Sequence, residues 1–242
     1  MRLSLPVVAV LAALLPVAVI GCSSGSDAGP DGSGASSANA AAAPDANPTG
    51  FANLPTGTTL KSVLAPKSFF PAGFTQDAST TADSRDAYQT QTSTPPAKPD
   101  CALLSGTGWF TVTRVSEASF AQTAYVNKTT NAEQDEEVFA YSGTGAATQL
   151  ADVGRLATLC PSYIDTQTHT KVKVTEHATT GLGDGGYTLT LTDPGWQTGS
   201  SLEAVRVGNE IAFVYSTSGP SGGAVDAAKL TNYLVGRLKA LR

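Results

Sequence analysis

The stretch "LEAVRVGNEIAFVYSTS", residues 202–218, decides the fold. Val205 and Val207 alternate with other residues up to Gly208-Asn209, and Ile211, Phe213 and Tyr215 resume the alternation beyond it. A Gly-Asn pair between two period-two runs suits a tight two-residue turn with positive backbone angles, so the stretch reads as a β-hairpin.

More strands lie on its N-terminal side. "TKVKVTEHAT" (170–179) and "YTLTLTD" (187–193) alternate in the same way and are joined by "TGLGDGG" (180–186). "WFTVTRV" (109–115), "SFAQTAYVNK" (119–128) and "EEVFAYSG" (136–143) read as antiparallel neighbours. Between these groups the period changes. In "GAATQLADVGRLATLCPSY" (145–163), Leu150, Val153, Leu156 or Ala157, and Cys160 recur at helical spacing until Pro161 ends the run.

A short helical pattern at Leu60, Val63 and Leu64 stops at Pro66, and residues 76–100 are polar enough to predict a long surface loop. The chain closes in an amphipathic helix with Ala227, Leu230, Leu234, Leu238 and Leu241 in one stripe. Asp226 near its start and Arg237, Lys239 and Arg242 near its end suit the helix dipole. Strands in runs with helices before, between and after them predict a single α+β domain over 54–242. Its twisted antiparallel sheet would carry helices packed on one face, leaving the other solvated or curved around a cleft.

The N-terminus carries a different message. Met1-Arg2 precede an apolar run from Leu3 to Gly21 with no further charge, the pattern of an export signal. The run is long enough to compete as a membrane span. Pro6 and Pro16 interrupt it, however, and a Ser- and Gly-rich segment follows instead of a basic flank. Val19-Ile20-Gly21-Cys22 is similar to the bacterial lipobox, which implies cleavage after residue 21 and acylation of Cys22, the lipid (palmitate included) holding the protein on the membrane. From Ser23 to about Asn53 the composition shifts to Ser, Gly, Ala, Asp, Pro and Asn, with no Lys or Arg and Phe51 as its first aromatic residue, and such a segment cannot offset its own ordering entropy. It reads as a flexible tether with an r.m.s. reach of about 30 Å.

Loss of the signal removes Arg2, one of 15 basic residues, and leaves 14 against 20 acidic ones, a net charge of −6. That balance argues against nucleic acid and against a polybasic membrane-binding patch. Three cysteines is an odd count for an exported chain. With Cys22 acylated, Cys101 and Cys160 remain to pair in an oxidising extracytoplasmic space.

The order of these elements resembles a known family. A helix ending in "PAGF" (71–74) leads to a cysteine and antiparallel strands, then to "EEVFAYSGTGAATQLADVGRLATLC" (136–160). "GLGD" (181–184), "VRVGNEIAFVYS" (205–216) and "AAKLTNYLVGRL" (227–238) follow. Together they resemble the extracellular sensor domain of the PknH-type actinobacterial serine/threonine kinases, which also occurs as free-standing lipoproteins. The resemblance implies a twisted antiparallel sheet with helices, shaping a cleft for a ligand. This chain departs from the kinases in having one disulfide instead of two and no kinase segment, and no binding residues carry over.

Candidate chemistry is sparse. "TGLGDGGY" (180–187) lacks the Gly-Lys-Ser/Thr ending of a phosphate loop, so its glycines are expected to serve a strand connection, with Asp184 exposed. His169 and His177 would stand about 26 Å apart along an extended strand, too far to share a metal. Glu133, Asp135, Glu136 and Glu137 in "NAEQDEEVF" could serve glycoside or calcium chemistry. They lack a calcium-loop spacing, and a solvated face at a turn is expected instead. Trp109, Tyr187, Phe213 and Tyr215 are expected in ordinary sheet packing. Trp196, in the turn-rich "TDPGWQTGSS", is the candidate ligand contact.

No metal, cofactor or catalytic constellation is expected. The expected function is non-covalent recognition of a small molecule or envelope component at the outer face of the cell membrane. The alternatives are an envelope lipid or glycolipid carrier, a structural lipoprotein, or an enzyme recognisable by convergent titratable groups.

Overall fold

A computed structural model describes residues 49–90, 99–105, 113, 116–196, 198–219 and 221–242. The expected signal segment, Cys22, the tether as far as residue 48 and the strand expected at 109–115, Thr113 apart, lie outside the described residues.

The 202–218 hairpin forms as its pattern predicts. Ser200–Val207 (β7) turns through Gly208 and Asn209 into Glu210–Ser216 (β8), with Val207 opposite Glu210. Gly208 takes φ +62°, the conformation the tight turn requires. Around this hairpin assemble β1 (Thr75–Asp83), β2 (Ser119–Asn127), β3 (Ala132–Ala140), β4 (Ser162–Ile164), β5 (Lys171–Thr179) and β6 (Gly186–Thr192). They form one eight-stranded sheet in the order β1-β2-β3-β8-β7-β6-β5-β4, antiparallel at every pairing. The α+β class and the antiparallel sheet match the expectation.

The covering layers do not. Among the described residues four helices pack on the sheet: α1 (Gly57–Lys61), α2 (Gly145–Val153), α3 (Leu156–Leu159) and α4 (Ala224–Ala240). On β8, Ile211, Phe213 and Tyr215 join a cluster with Leu150, Val153 and Leu156 of α2 and α3. Ala212 and Val214, which point the other way, join Leu60 of α1 and Leu230 and Leu234 of α4. The central strands are therefore buried on both faces, and helices occupy both instead of the one expected. The sequence reason is plain in "EIAFVYS", where both parities are apolar.

Three local expectations also change. Residues 75–83, expected within the surface loop, form edge strand β1. The polar residues of "TQDASTTAD" suit a strand exposed along one side and distorted between Asp77 and Ala82. The helix expected to run to Pro161 breaks at Gly154-Arg155, where a Cβ on Gly154 would lie 2.7 Å from the Tyr187 hydroxyl. β3 begins at Ala132, four residues earlier than expected.

The Gly-rich connection between β5 and β6 is structural, and Asp184 is more than an exposed turn residue. Its backbone N–H donates to the Arg206 carbonyl at 2.7 Å, and its carboxylate accepts the Gly208 N–H at 2.6 Å. The connection thus holds the turn of the central hairpin. Gly183 has φ +61°, and a Cβ there would collide with the Arg206 carbonyl oxygen. Gly183→Val should therefore cost about 2–3 kcal/mol, read as a lowered denaturation midpoint with an unchanged m-value.

Candidate ligand-binding site

The acidic run of "NAEQDEEVF" does not lie on a solvated turn. It lies within β3, second neighbour to the sheet centre, and most of it is buried. The β2–β3 turn fixes this placement, with the Asn127 side chain accepting the Thr129 and Thr130 N–H groups at 3.0 and 3.3 Å. The register then runs without interruption from Asn127↔Ala132 to Ser119↔Ala140. Alternation places Glu133, Asp135 and Glu137 on the face of Phe139, and Gln134 and Glu136 on the opposite face.

Glu136 sits on the α1–α4 side, fully buried, opposite Thr123 of β2 and Val214 of β8. Its two carboxylate oxygens accept one backbone N–H, that of Ala65, at 3.0 and 2.8 Å. Burial pushes its pKa up to about 8, against the lowering effect of that hydrogen bond.

The other face holds a row of carboxyls. Asp77 of β1 stands over Ala124, Glu133 is opposite Val126, Asp135 is flanked by Ala124 and Tyr215, and Glu137 by Gln122 and Phe213. Glu117, just before β2, lies near enough to Glu137 and Tyr141 for its charge to act on both. Asp77, Glu133 and Glu117 are half-buried at the ends of the row, whereas Asp135 and Glu137 are only 2% and 3% exposed.

Burial is the main force raising Asp135 well above the usual carboxylate range, with the charges of Glu133 and Glu137 adding to it. Glu137 is raised well up by burial and then by the charge of Glu117. Burial also raises Glu133 and Glu117. The Tyr141 phenol is raised well up by burial and by the charges of Glu117 and Glu137. Among the described residues, neither Glu137 Oε2 nor the Tyr141 hydroxyl has a hydrogen-bond partner. Among the described residues, no Lys or Arg forms an ion pair with Glu133, Asp135 or Glu137.

At the outer end, Thr75, Asp77, Val126 and Lys128 line an open hollow of about 300 Å³. Aromatic rings stand beside the inner end: Phe139 lies 5.4 Å from Phe213 and 6.2 Å from Phe120, centroid to centroid. A carboxyl row of this make-up attracts positive charge and repels anions. Among the described residues no three His, Cys, Asp or Glu side chains converge to hold a metal ion.

The other candidates fall elsewhere. Cys101 and Cys160 form the expected disulfide, their Cα atoms 5.6 Å apart. His169 sits in the turn before β5, and His177 lies on β5 opposite Thr188, the two well separated as expected. Trp196 is half-buried against the cluster that α2 and α3 cover, its backbone N–H donating to the Asp193 carbonyl at 3.1 Å. It is on the same side of the sheet as the carboxyl row but is not part of it. Trp109 lies outside the described residues.

Asp77, Glu117 and Tyr141 join the row without having stood out in the sequence. The available signal was the length of the β2–β3 hairpin. Counting back across a turn at Lys128–Asn131 from a nine-residue β2 pairs it with 132–140, which draws the acidic run into the sheet.

The chain matches no protein-family model, and no curated protein matches its sequence. Its fold is similar to the crystal structure of the extracellular domain of PknH from Mycobacterium tuberculosis, with a TM-score of 0.51 and 12% identity. The match covers 77% of this chain and 97% of that one. At that identity the likeness is one of fold.

Proposed function

We propose that the protein is a lipoprotein of the bacterial cell envelope whose α+β domain recognises a ligand outside the membrane without covalent chemistry. Residues 1–21 would be removed on export, Cys22 would carry the lipid, and residues 22–53 would space the domain from the bilayer. The observation that carries the binding role is the carboxyl row. Native folds do not keep unpaired buried carboxyls on a central strand for stability, since each costs free energy in the empty protein. The Cys101–Cys160 bridge supports an oxidising compartment, and the fold shared with an extracellular kinase domain supports a sensing or binding role. Trp196, half-buried on the same side of the sheet, would contact the ligand or a partner.

Mass spectrometry of the full-length protein, expressed in an actinobacterial host and purified in detergent, tests this. The expected species begins at Cys22, carries a diacylglyceryl group and holds a small molecule that survives gentle ionisation. Cys22→Ala should leave the signal segment attached and abolish the lipid mass. A wild-type chain that retains residues 1–21 and stays unacylated would refute the anchored form. A lipid held in the domain, lost on mild delipidation, would favour the carrier.

A further inference from the structure

We propose that the carboxyl row along β3, entered from the hollow beside Asp77, binds a small linear polyamine, with ammonium groups set against Asp77, Glu133, Asp135 and Glu137. The proposal rests on the binding role above and names the chemical class of its ligand.

Four features of the site lead there. The row is uncompensated: among the described residues only Lys128 brings positive charge to it, and that acts on Asp77 at the outer end. The row is linear, because alternate residues on a strand stand about 7 Å apart and the sheet keeps them in line. A single metal ion needs its oxygen ligands within about 2.6 Å, a convergence such a row does not offer. Ammonium groups separated by short methylene runs repeat at nearly the strand's own interval.

The groove is also graded. It is open at Asp77, where the hollow of about 300 Å³ lies, passes the half-buried Glu133, and closes over Asp135 and Glu137. A basic peptide would have to bury its own N–H and C=O groups at the closed part, which a bare methylene chain does not. Lastly, two groups deep in the row await a partner. Glu137 Oε2 can accept from an ammonium, and the Tyr141 hydroxyl, unpartnered and wholly buried, can accept a second hydrogen from it. Phe213 and Phe139 beside Glu137 suit the methylenes and the cation together.

Binding would be coupled to protons. The groups facing Asp135 and Glu137 are Glu133, Asp77 and Glu117, whose charges favour the protonated acid, and Tyr141 and Tyr215, which the carboxylate charges hold in the neutral form. An arriving ammonium favours the carboxylate, so protons leave as the ligand enters and affinity rises with pH.

Isothermal titration of the full-length protein with spermidine tests the proposal. The expected result is saturable binding at about pH 8, weaker by about tenfold or more at about pH 5, with proton release seen as a heat that depends on the buffer. Glu137→Gln and Asp135→Asn should each weaken binding about tenfold or more while raising the denaturation midpoint of the empty protein, so lost binding is not lost folding. Asp77→Asn, at the open end, should weaken it only about two- to threefold. Absence of spermidine binding at pH 8, or binding that Glu137→Gln leaves unchanged, would overturn the proposal. So would tetralysine binding more tightly than spermidine, which would make the groove a peptide site. If spermidine fails while gentle ionisation still reveals a bound small molecule of other chemistry, the ligand class falls and the binding role stands.

Discussion

The domain should be most stable near about pH 5 and lose several kcal/mol as the pH rises to about 9, and Glu136→Gln should remove much of that loss. Glu136 has a folded pKa of about 8 against an ordinary value of 4.5. Below 4.5 the carboxyl is protonated in both folded and unfolded chains, and its burial imposes no charge penalty. Between 4.5 and 8 the unfolded chain releases the proton and the folded one holds it, so unfolding gains at every step upward. Above 8 the cost is complete, on the order of 5 kcal/mol for this single group.

The surroundings offer nothing to reverse the sign. Ala65 supplies one N–H, Thr123 and Val214 are the cross-strand neighbours, and Tyr125 is the titratable group close enough to feel the Glu136 charge. Asp135 and Glu137 are raised in the same direction from the other face and add to the slope. At the acid end, Asp77, Asp83 and Asp165 are held below their usual range by hydrogen bonds, so stability falls again once the pH drops below about 4. Gln at 136 can still accept the Ala65 N–H and carries no charge at any pH, so it mimics the protonated acid. Urea denaturation of both proteins at several pH values decides the matter. Equal slopes against pH in the wild type and Glu136→Gln would mean that Glu136 does not titrate within the fold.

The same carboxyl marks where sequence reasoning reaches its limit. The central hairpin was legible because both of its strands are apolar at alternate positions and Gly208-Asn209 can only be a tight turn. The closing helix was legible because Ala227, Leu230, Leu234 and Leu238 keep one stripe, and all four are buried. Glu136 and Glu137 misled because charge was taken as a mark of exposure, which holds on average and fails where a strand's partners are fixed by a neighbouring turn. β1 was missed for the complementary reason. An edge strand with both sides partly wet has no apolar face to alternate, so its polar residues look like those of a loop. The faces of the sheet were misjudged because "EIAFVYS" is apolar at both parities from Ile211 to Tyr215, which signals two covered faces rather than one.

Loss of the Cys101–Cys160 bridge should lower stability by about 4 kcal/mol, because a sequence separation of 59 residues sets the closed loop's share of unfolded-chain entropy. The Cys101→Ser/Cys160→Ser double variant should therefore unfold at markedly lower denaturant, with a larger m-value from a more open unfolded chain. Dithiothreitol should shift the wild type to the same midpoint. The loss should not be spread evenly over the domain. Cys101 opens a short 3-10 turn that carries the fully buried Leu104, and Cys160 ends α3 in the same cluster. Across that joint, the Ser105 and Tyr163 hydroxyls meet at 2.6 Å. Without the bridge, residues 101–105 rest on the packing of Ala102 and Leu104 and on the Ser105–Tyr163 hydrogen bond over the face that holds the carboxyl row, while α1 and α4 lie on the other face. Hydrogen exchange in the reduced protein should therefore rise first in β4, β5 and residues 101–105, with α4 still protected. An unchanged midpoint in the double variant would show that packing around Leu104 alone holds that layer. Exchange that rises equally in α4 would show that the two faces open as one cooperative unit.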